Sequence, residues 1–188
     1  MVDERSFHKA DWINFYPDTS EAIPSNALEP RGNPILISCF VDADHAGNRI
    51  TRSSHTGIII FCNRAPIQWY SKRQNTVDSS SFGPKFIALR IATEMIEALR
   101  YKLRMFGIPL KGPANIFCDN NSVVTNPTHP ESTLHKKHNG IPYHKVRESV
   151  ASGTIRIAKE DSATNIADML TKIVSGPKLK DLCSRVLY

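Results

Sequence analysis

The run ILISCFVDAD, residues 35–44, is apolar as far as Val41 and then carries two carboxylates, Asp42 and Asp44, one residue apart. Ile35 to Val41 reads as a strand, apolar enough on both faces to be central in a sheet. The chain leaves that strand through acid. On its own, an aspartate after a strand is most often a turn former or a helix cap. Whether Asp42 does more depends on which elements come to lie beside it.

Two further strands follow closely, near Gly57–Cys62 (GIIIFC) and Ile67–Tyr70 (IQWY), joined by a turn over Asn63–Pro66. This spacing predicts an antiparallel meander. Residues 79–107, SSSFGPKFIALRIATEMIEALRYKLRMFG, then predict one long amphipathic helix. Ser80 or Ser81 is placed to cap it and Pro84 suits an early helical position. Phe86, Leu89, Met95, Ile96, Leu99 and Leu103 recur as one buried stripe, and Gly107 with Pro109 ends it. Lys85 falls in the first turn, where the helix dipole favours negative charge, so its position asks for a reason.

A fourth strand, Asn115–Cys118 (NIFC), runs into Asp119 and a short helix-like SVVTN. Residues 127–140 read as loop at first and carry the basic HKKH. Tyr143–Ala151 predicts a helix stopped by Gly153, Thr154–Ala158 a fifth strand, Asn165–Lys172 a short helix, and Lys178–Val186 another. The order β-β-β-α-β-α-β-α implies an α/β fold, a mixed sheet carrying helices. Residues 1–34 hold Pro17, Pro24, Pro30 and Pro34 and read as an extended arm, a linker or a segment that Trp12, Phe15 and Tyr16 dock on the body. The body is expected over 35–174, with 175–188 a C-terminal helix or tail.

The 188 residues suit one domain with a sizeable core, and 40% hydrophobic with 22% charged residues is ordinary for a soluble globular protein. A net charge of +6 is compatible with a polyanionic partner such as nucleic acid, and equally with a solvated basic surface. The four cysteines form no CxxC pair and no ligand-spaced cluster with histidine, which argues against a zinc site. Three of them lie in apolar runs and read as small buried hydrophobes in a reducing compartment. MVDERSFHKADW lacks an apolar signal core, and GIIIFC is too short to span a bilayer. An intracellular, cytoplasmic or nuclear protein with no membrane contact is expected.

If the first and fourth strands are neighbours, Asp42 and Asp119 converge at one edge of the sheet, and Asp168, on a late helix, is a candidate third member. Clustered carboxylates repel one another unless cations neutralise them. Hard divalent ions such as Mg²⁺ prefer such oxygens, and a pair of ions about 3.5–4 Å apart suits phosphodiester chemistry.

FVDADHAG, HTGIIIF, PIQWYSKRQNTV, FIALRIATE, CDNNSVV, YHKVRE, SGTIRI and NIADMLTK occur in that order. Together they resemble the ribonuclease H domain of copia-type LTR retrotransposon Pol polyproteins, from about Cys39 to Lys172. The proline-rich arm resembles part of the connection after the reverse transcriptase. The resemblance implies a ribonuclease H-like fold: a five-stranded mixed sheet, its first three strands antiparallel, flanked by helices. It implies hydrolysis of RNA in an RNA–DNA hybrid by four carboxylates and two Mg²⁺ ions. It also implies the reverse transcriptase portion of the parent polyprotein as a partner, a monomeric domain, and for an intact element a virus-like particle.

Carried onto this sequence, the first, third and fourth carboxylates fall on Asp42, Asp119 and Asp168, as catalytic residues and metal ligands. The second, a glutamate directly before an aromatic-Ile-Ala-Leu run, falls on Lys85, before Phe86–Leu89. An ammonium there repels a divalent ion: one unit-charge pair near 4 Å is worth about 4 kcal/mol at an effective dielectric of ~20. No acid stands three or four residues away to substitute, at Ser81, Phe82, Ala88 or Leu89. At least one metal site is expected to fail. Alternatively, Lys85 pairs with the aspartates and stands in for a metal in a salt-bridge cluster. Candidate nucleic-acid contacts are Lys72, Arg73, Lys136, Lys137 and Asn120, with Lys145, Arg147 and Arg156 adding charge. His144 reads as structural, and Trp69 and Tyr70 as sheet packing rather than base stacking. The expected function is an impaired ribonuclease H; the alternatives are a catalytically dead nucleic-acid-binding remnant and an inert transposon fragment.

Overall fold

The computed structural model describes residues 12–47, 50–75, 77–78, 80–133 and 140–187. Its centre is a five-stranded mixed sheet of β1 (Ile37–Ala43), β2 (His55–Cys62), β3 (Ala65–Arg73), β4 (Ala114–Cys118) and β5 (Ile155–Lys159), in the order β3-β2-β1-β4-β5. The first three strands are antiparallel neighbours, whereas β4 joins β1, and β5 joins β4, in parallel. The helices are α1 (Phe82–Met105), α2 (Asn121–Thr128), α3 (Gly140–Ala151) and α4 (Gly176–Ser184), with a 3-10 helix at Ile166–Leu170. This is the α/β ribonuclease H-like arrangement expected.

The pleat of β1 sorts its side chains onto two faces. Cys39 and Val41 meet Ile58, Ile60, Ile116 and Cys118 beneath α1, whose Phe86, Leu89, Ala92 and Ile96 are all buried. Each such large side chain contributes about 1.5–3 kcal/mol when fully buried. Met95, Leu99 and Leu103 flank this core, partly buried. On the opposite face Ile59 and Phe61 pack against Ile166 and Leu182, beside Phe40, which stacks on Phe117 at 5.0 Å between ring centroids. All four cysteines are free, and Cys39 and Cys118 are buried.

Several boundaries differ from expectation. β3 continues to Arg73, so Lys72 and Arg73 are ladder residues opposite Thr56 and His55 instead of following the strand. SVVTN extends to eight residues because the Asn120 side chain caps it, its Oδ1 accepting the Val123 amide at 3.2 Å. Asn165–Lys172 closes as a 3-10 turn, capped by Asn165 Oδ1 on the Ala167 amide at 3.1 Å. Ser81 precedes α1 but makes no side-chain capping bond, its backbone being already helical at φ −65°, ψ −18° where a cap needs extended geometry. Trp69 is 71% exposed, so the sheet-packing reading holds for Tyr70, against the main core, and not for Trp69.

Residues 12–34 lie along the body. Trp12 is buried in the main core, the Arg147 guanidinium carbon lies 4.9 Å from the centroids of both the Trp12 and Tyr143 rings, and the Tyr16 hydroxyl pairs with His144 Nδ1 at 2.8 Å. Glu21 binds Arg100 through two bonds of 2.6 and 2.8 Å and Arg104 at 2.7 Å. The Arg31 amide donates to Gly107 O at 2.8 Å. Gly107 has φ +66°, and a Cβ there would meet Glu29 O at 2.9 Å, so glycine both ends α1 and admits the arm.

Candidate active site

The site follows from strand order. β1 and β4 are parallel neighbours with Val41 opposite Cys118, so the next residues, Asp42 still in β1 and Asp119 just past β4, stand side by side at the carboxyl ends of the two strands. Those ends are where open α/β sheets bind ligands. Asp168 arrives from the 3-10 helix, which is fastened to β1 by Asn165 Nδ2 donating to Val41 O at 3.0 Å. The approach needs a glycine on β2: Gly57 is the ladder partner of Asp42, and a Cβ there would lie 2.7 Å from both Ala167 O and Thr171 Cγ2. Thus one oxygen from each of Asp42, Asp119 and Asp168 lies within 4.8 Å of the others. Asp42 and Asp168 are each 1% exposed.

Three lysines enter this cluster. Lys85 Nζ, from the first turn of α1, donates to Asp42 Oδ1 at 2.7 Å and Asp119 Oδ1 at 2.5 Å. Lys172 Nζ lies 2.9 Å from Asp168 Oδ1 and 4.0 Å from Asp42 Oδ2. Lys178 Nζ, on α4, donates to Asp168 Oδ2 at 2.7 Å. Thr171 Oγ1 donates to Asp42 Oδ2 at 2.7 Å, and Ser162 Oγ to Asp119 Oδ2 at 3.3 Å. Burial by itself pushes the Asp42 carboxyl up, but the charge and hydrogen bond of Lys85 override it and hold it below the usual range. Burial likewise works against the Lys85 ammonium, yet the two aspartates hold it above its ordinary value. Lys85 therefore sits at a helix start because two carboxylates outweigh the dipole there.

Three converging carboxylates are the donor set a hard divalent cation takes. Asp168 Oδ1 is buried and accepts no hydrogen bond among the described residues, its contact with Lys172 being a charge pair out of hydrogen-bond alignment. Lys85 does not fit such an ion. Its ammonium already bridges Asp42 and Asp119 and carries the same sign of charge. The residues present are thus unsuited to a divalent ion between those two aspartates, and no catalytic step runs through one here.

The neighbouring acids serve elsewhere. Asp44 Oδ1 accepts the His55 amide, and Asp78 Oδ1 accepts the Ser80 amide at 3.0 Å. His45 Nε2 approaches Asp78 O at 3.3 Å. Lys72 and Arg73 are exposed at the end of β3, whereas Lys136 and Lys137 lie outside the described residues. Asn120 is engaged in capping α2. Arg147 does not add to a basic surface: it is 3% exposed beneath the arm, and Lys145 pairs with Glu97 at 2.7 Å. Lys172, Lys178 and Thr171 were not singled out from sequence. The Asp168-x-x-x-Lys172 spacing carries a local signal; Lys178 has none, because α4 brings it back across the fold.

No protein-family model matches the chain. It is 30% identical over 156 residues, 83% of its length, to the retrovirus-related Pol polyprotein from transposon RE1 of Arabidopsis thaliana, and 31% identical over 157 residues to that from transposon TNT 1-94 of Nicotiana tabacum. It spans 11% and 12% of those two polyproteins. Among solved structures it resembles LC11-RNase H1 in complex with an RNA/DNA hybrid, with a TM-score of 0.56 at 14% identity over 72% of this chain and 93% of that one. The N-terminal RNase H domain of Rv2228c from Mycobacterium tuberculosis gives 0.54 at 14% identity, covering 80% and 97%.

Proposed function

As a homologue of a segment of the retrovirus-related Pol polyproteins of plant transposons, with a ribonuclease H fold, this chain, we propose, is the ribonuclease H domain of a copia-type retrotransposon polyprotein in which RNA hydrolysis is weak or lost. The observation that carries the impairment is Lys85 Nζ, hydrogen-bonded to both Asp42 and Asp119. In this reading Asp42, Asp119 and Asp168 are the three carboxylates this chain keeps of the family's catalytic, metal-binding set. The intact family site would hold Mg²⁺ to activate water and stabilise the leaving oxygen. Here Lys85 stands where a fourth carboxylate is needed.

The substrate class is an RNA–DNA hybrid, held through phosphates and 2′-hydroxyls by Lys72, Arg73, Lys136, Lys137 and Asn120. The partner is the reverse transcriptase portion of the parent polyprotein, and the chain is a cytoplasmic or nuclear monomer. Exposed Lys72 and Arg73, together with an acid cluster already neutralised by lysines, favour as a second reading a remnant that binds hybrid without cutting it. The test is cleavage of a labelled hybrid in Mg²⁺ and in Mn²⁺ by this chain and by Lys85→Glu, with hybrid binding followed by fluorescence anisotropy. Cleavage by Lys85→Glu alone is expected. Equal cleavage by both would overturn the assignment of Lys85. Binding with no cleavage by either supports the remnant, and neither binding nor cleavage leaves an inert fragment.

A further inference from the structure

The three lysines do more than spoil a site. Asp42, Asp119 and Asp168 face the ammoniums of Lys85, Lys172 and Lys178 at 2.5–2.9 Å. Three negative charges thus meet three positive ones, and the cluster carries no net charge. Its members come from β1, the residue following β4, the 3-10 helix and its following turn, α1 and α4. No two of the aspartates share an element: Lys85 joins α1 to Asp42 and Asp119, Lys172 reaches from Asp168 toward Asp42 at 4.0 Å, and Lys178 joins α4 to Asp168 on the 3-10 helix.

We propose that this cluster is a metal-independent structural clasp, in which the lysine ammoniums permanently supply the counter-charge and fasten the C-terminal segment to the sheet edge. The physical basis is charge balance at a buried place. A divalent ion added to a neutral cluster brings two uncompensated charges beside carboxylates that are 1% exposed, a costly arrangement in low dielectric. Conversely, removing any one ammonium leaves a buried carboxylate short of its partner. The clasp also explains how α4 is held. Among the described residues of that helix Leu182 alone is buried, and Lys178 adds a second anchor one turn earlier, on Asp168.

The balance can be tipped by design. Lys85→Glu sets four carboxylates against two ammoniums, a net of two negative charges, which one divalent cation neutralises. Lys85→Gln leaves a net of one. The choice of glutamate rests on the reading that Lys85 occupies a carboxylate position, but the measurement needs neither nucleic acid nor activity, so it fails independently of that reading. The experiment is thermal unfolding of the full chain in EDTA and across Mg²⁺ and Mn²⁺ titrations, with calorimetric titration of Mn²⁺. The parent chain should unfold at one temperature throughout and show no saturable Mn²⁺ binding. Lys85→Glu should unfold lower in EDTA and gain about 5–10 °C at a hundredfold excess of ion over its Kd. If Lys85→Glu is unfolded without metal, refolding in Mn²⁺ and a smaller saturable shift in Lys85→Gln support the clasp. A metal-dependent rise in the parent chain overturns it. So does the absence of any metal response in both variants.

Discussion

The two faces of the sheet are built differently. Under α1, a continuous apolar core runs from Trp12 of the arm through Val41, Ile58, Phe86, Ile96 and Ile116 to Ile155. On the other face four buried hydrophobic residues are described, Ile59, Phe61, Ile166 and Leu182, with Phe40, Met169, Leu170 and Val186 partly covered. The first face supplies enough apolar burial to specify the fold. The second is thin, and there the C-terminal segment is held by side-chain bonds: Asn165 on Val41 O, Ser71 Oγ on Leu170 O at 2.8 Å, and the lysine–aspartate cluster. The carboxylate cluster at the sheet edge is therefore placed, in this chain, to support the weaker face.

The largest expected effect is on the strong face. Phe86→Ala should cost about 3–5 kcal/mol by denaturant unfolding, because a fully buried ring leaves a cavity between α1 and the sheet. A loss below ~1 kcal/mol would erase the distinction between the faces. Next comes Lys85→Met, expected to cost about 3 kcal/mol, since Asp42 and Asp119 lose the ammonium that compensates them. An unchanged midpoint would mean the cluster contributes nothing to the fold.

Leu182→Ala should cost about 2–3 kcal/mol, and its signature should be local. In amide hydrogen exchange, α4 and the 3-10 helix should lose protection while α1 keeps it; uniform loss over both faces would show that they unfold as one unit. Glu21→Gln, at the arm, should cost about 1–2 kcal/mol by leaving the buried Arg100 with a neutral partner.

The smallest effect is in the pH dependence. Asp42 is held below its ordinary value, so its contribution is complete above about pH 4 and is lost as the pH falls through the lowered value. Lys85 is held above its ordinary value, so its share is complete below about pH 10 and is lost only as the pH rises beyond that. Between those limits the contribution of the Asp42–Lys85 pair should be flat in pH. Thermal midpoints from pH 6 to 3 should therefore fall more steeply in the parent chain than in Lys85→Met, where Asp42 is no longer held down by Lys85. Parallel curves would remove the ion pair from the account of the thin face.

Most of the architecture is legible in the sequence. The apolar run through Val41, the α1 stripe and the terminator at Gly107 each follow from local periodicity and backbone preference. The structure keeps the terminator, and moves β1 from the expected 35–41 to Ile37–Ala43 because Asp42 and Ala43 pair with Gly57 and Thr56. It buries Phe86, Leu89 and Ile96 of the stripe fully, while Met95, Leu99 and Leu103 are partly covered. Strand ends were harder, because a ladder partner carries β3 on through the polar Ser71, Lys72 and Arg73, where no apolar alternation marks it. Arg147 shows the same limit. A charged residue on a helix reads as surface, but the arm returns across a long stretch of chain to cover it with Trp12 and Tyr16.

The sequence by itself determined the element order, the central place of β1 and the presence of Lys85 where the resemblance calls for a carboxylate, since all three rest on residue type and local spacing. Only the tertiary structure decided what that lysine does. Parallel pairing of β1 with β4 sets Asp42 beside Asp119, and Gly57 lets the 3-10 helix bring Asp168 onto them. The return of α4 then adds Lys178. Charge compensation depends on Lys85 lying 2.7 Å from Asp42, 43 residues away, and on Lys172 lying 4.0 Å from Asp42, 130 residues away, and such distances are a property of the packed chain.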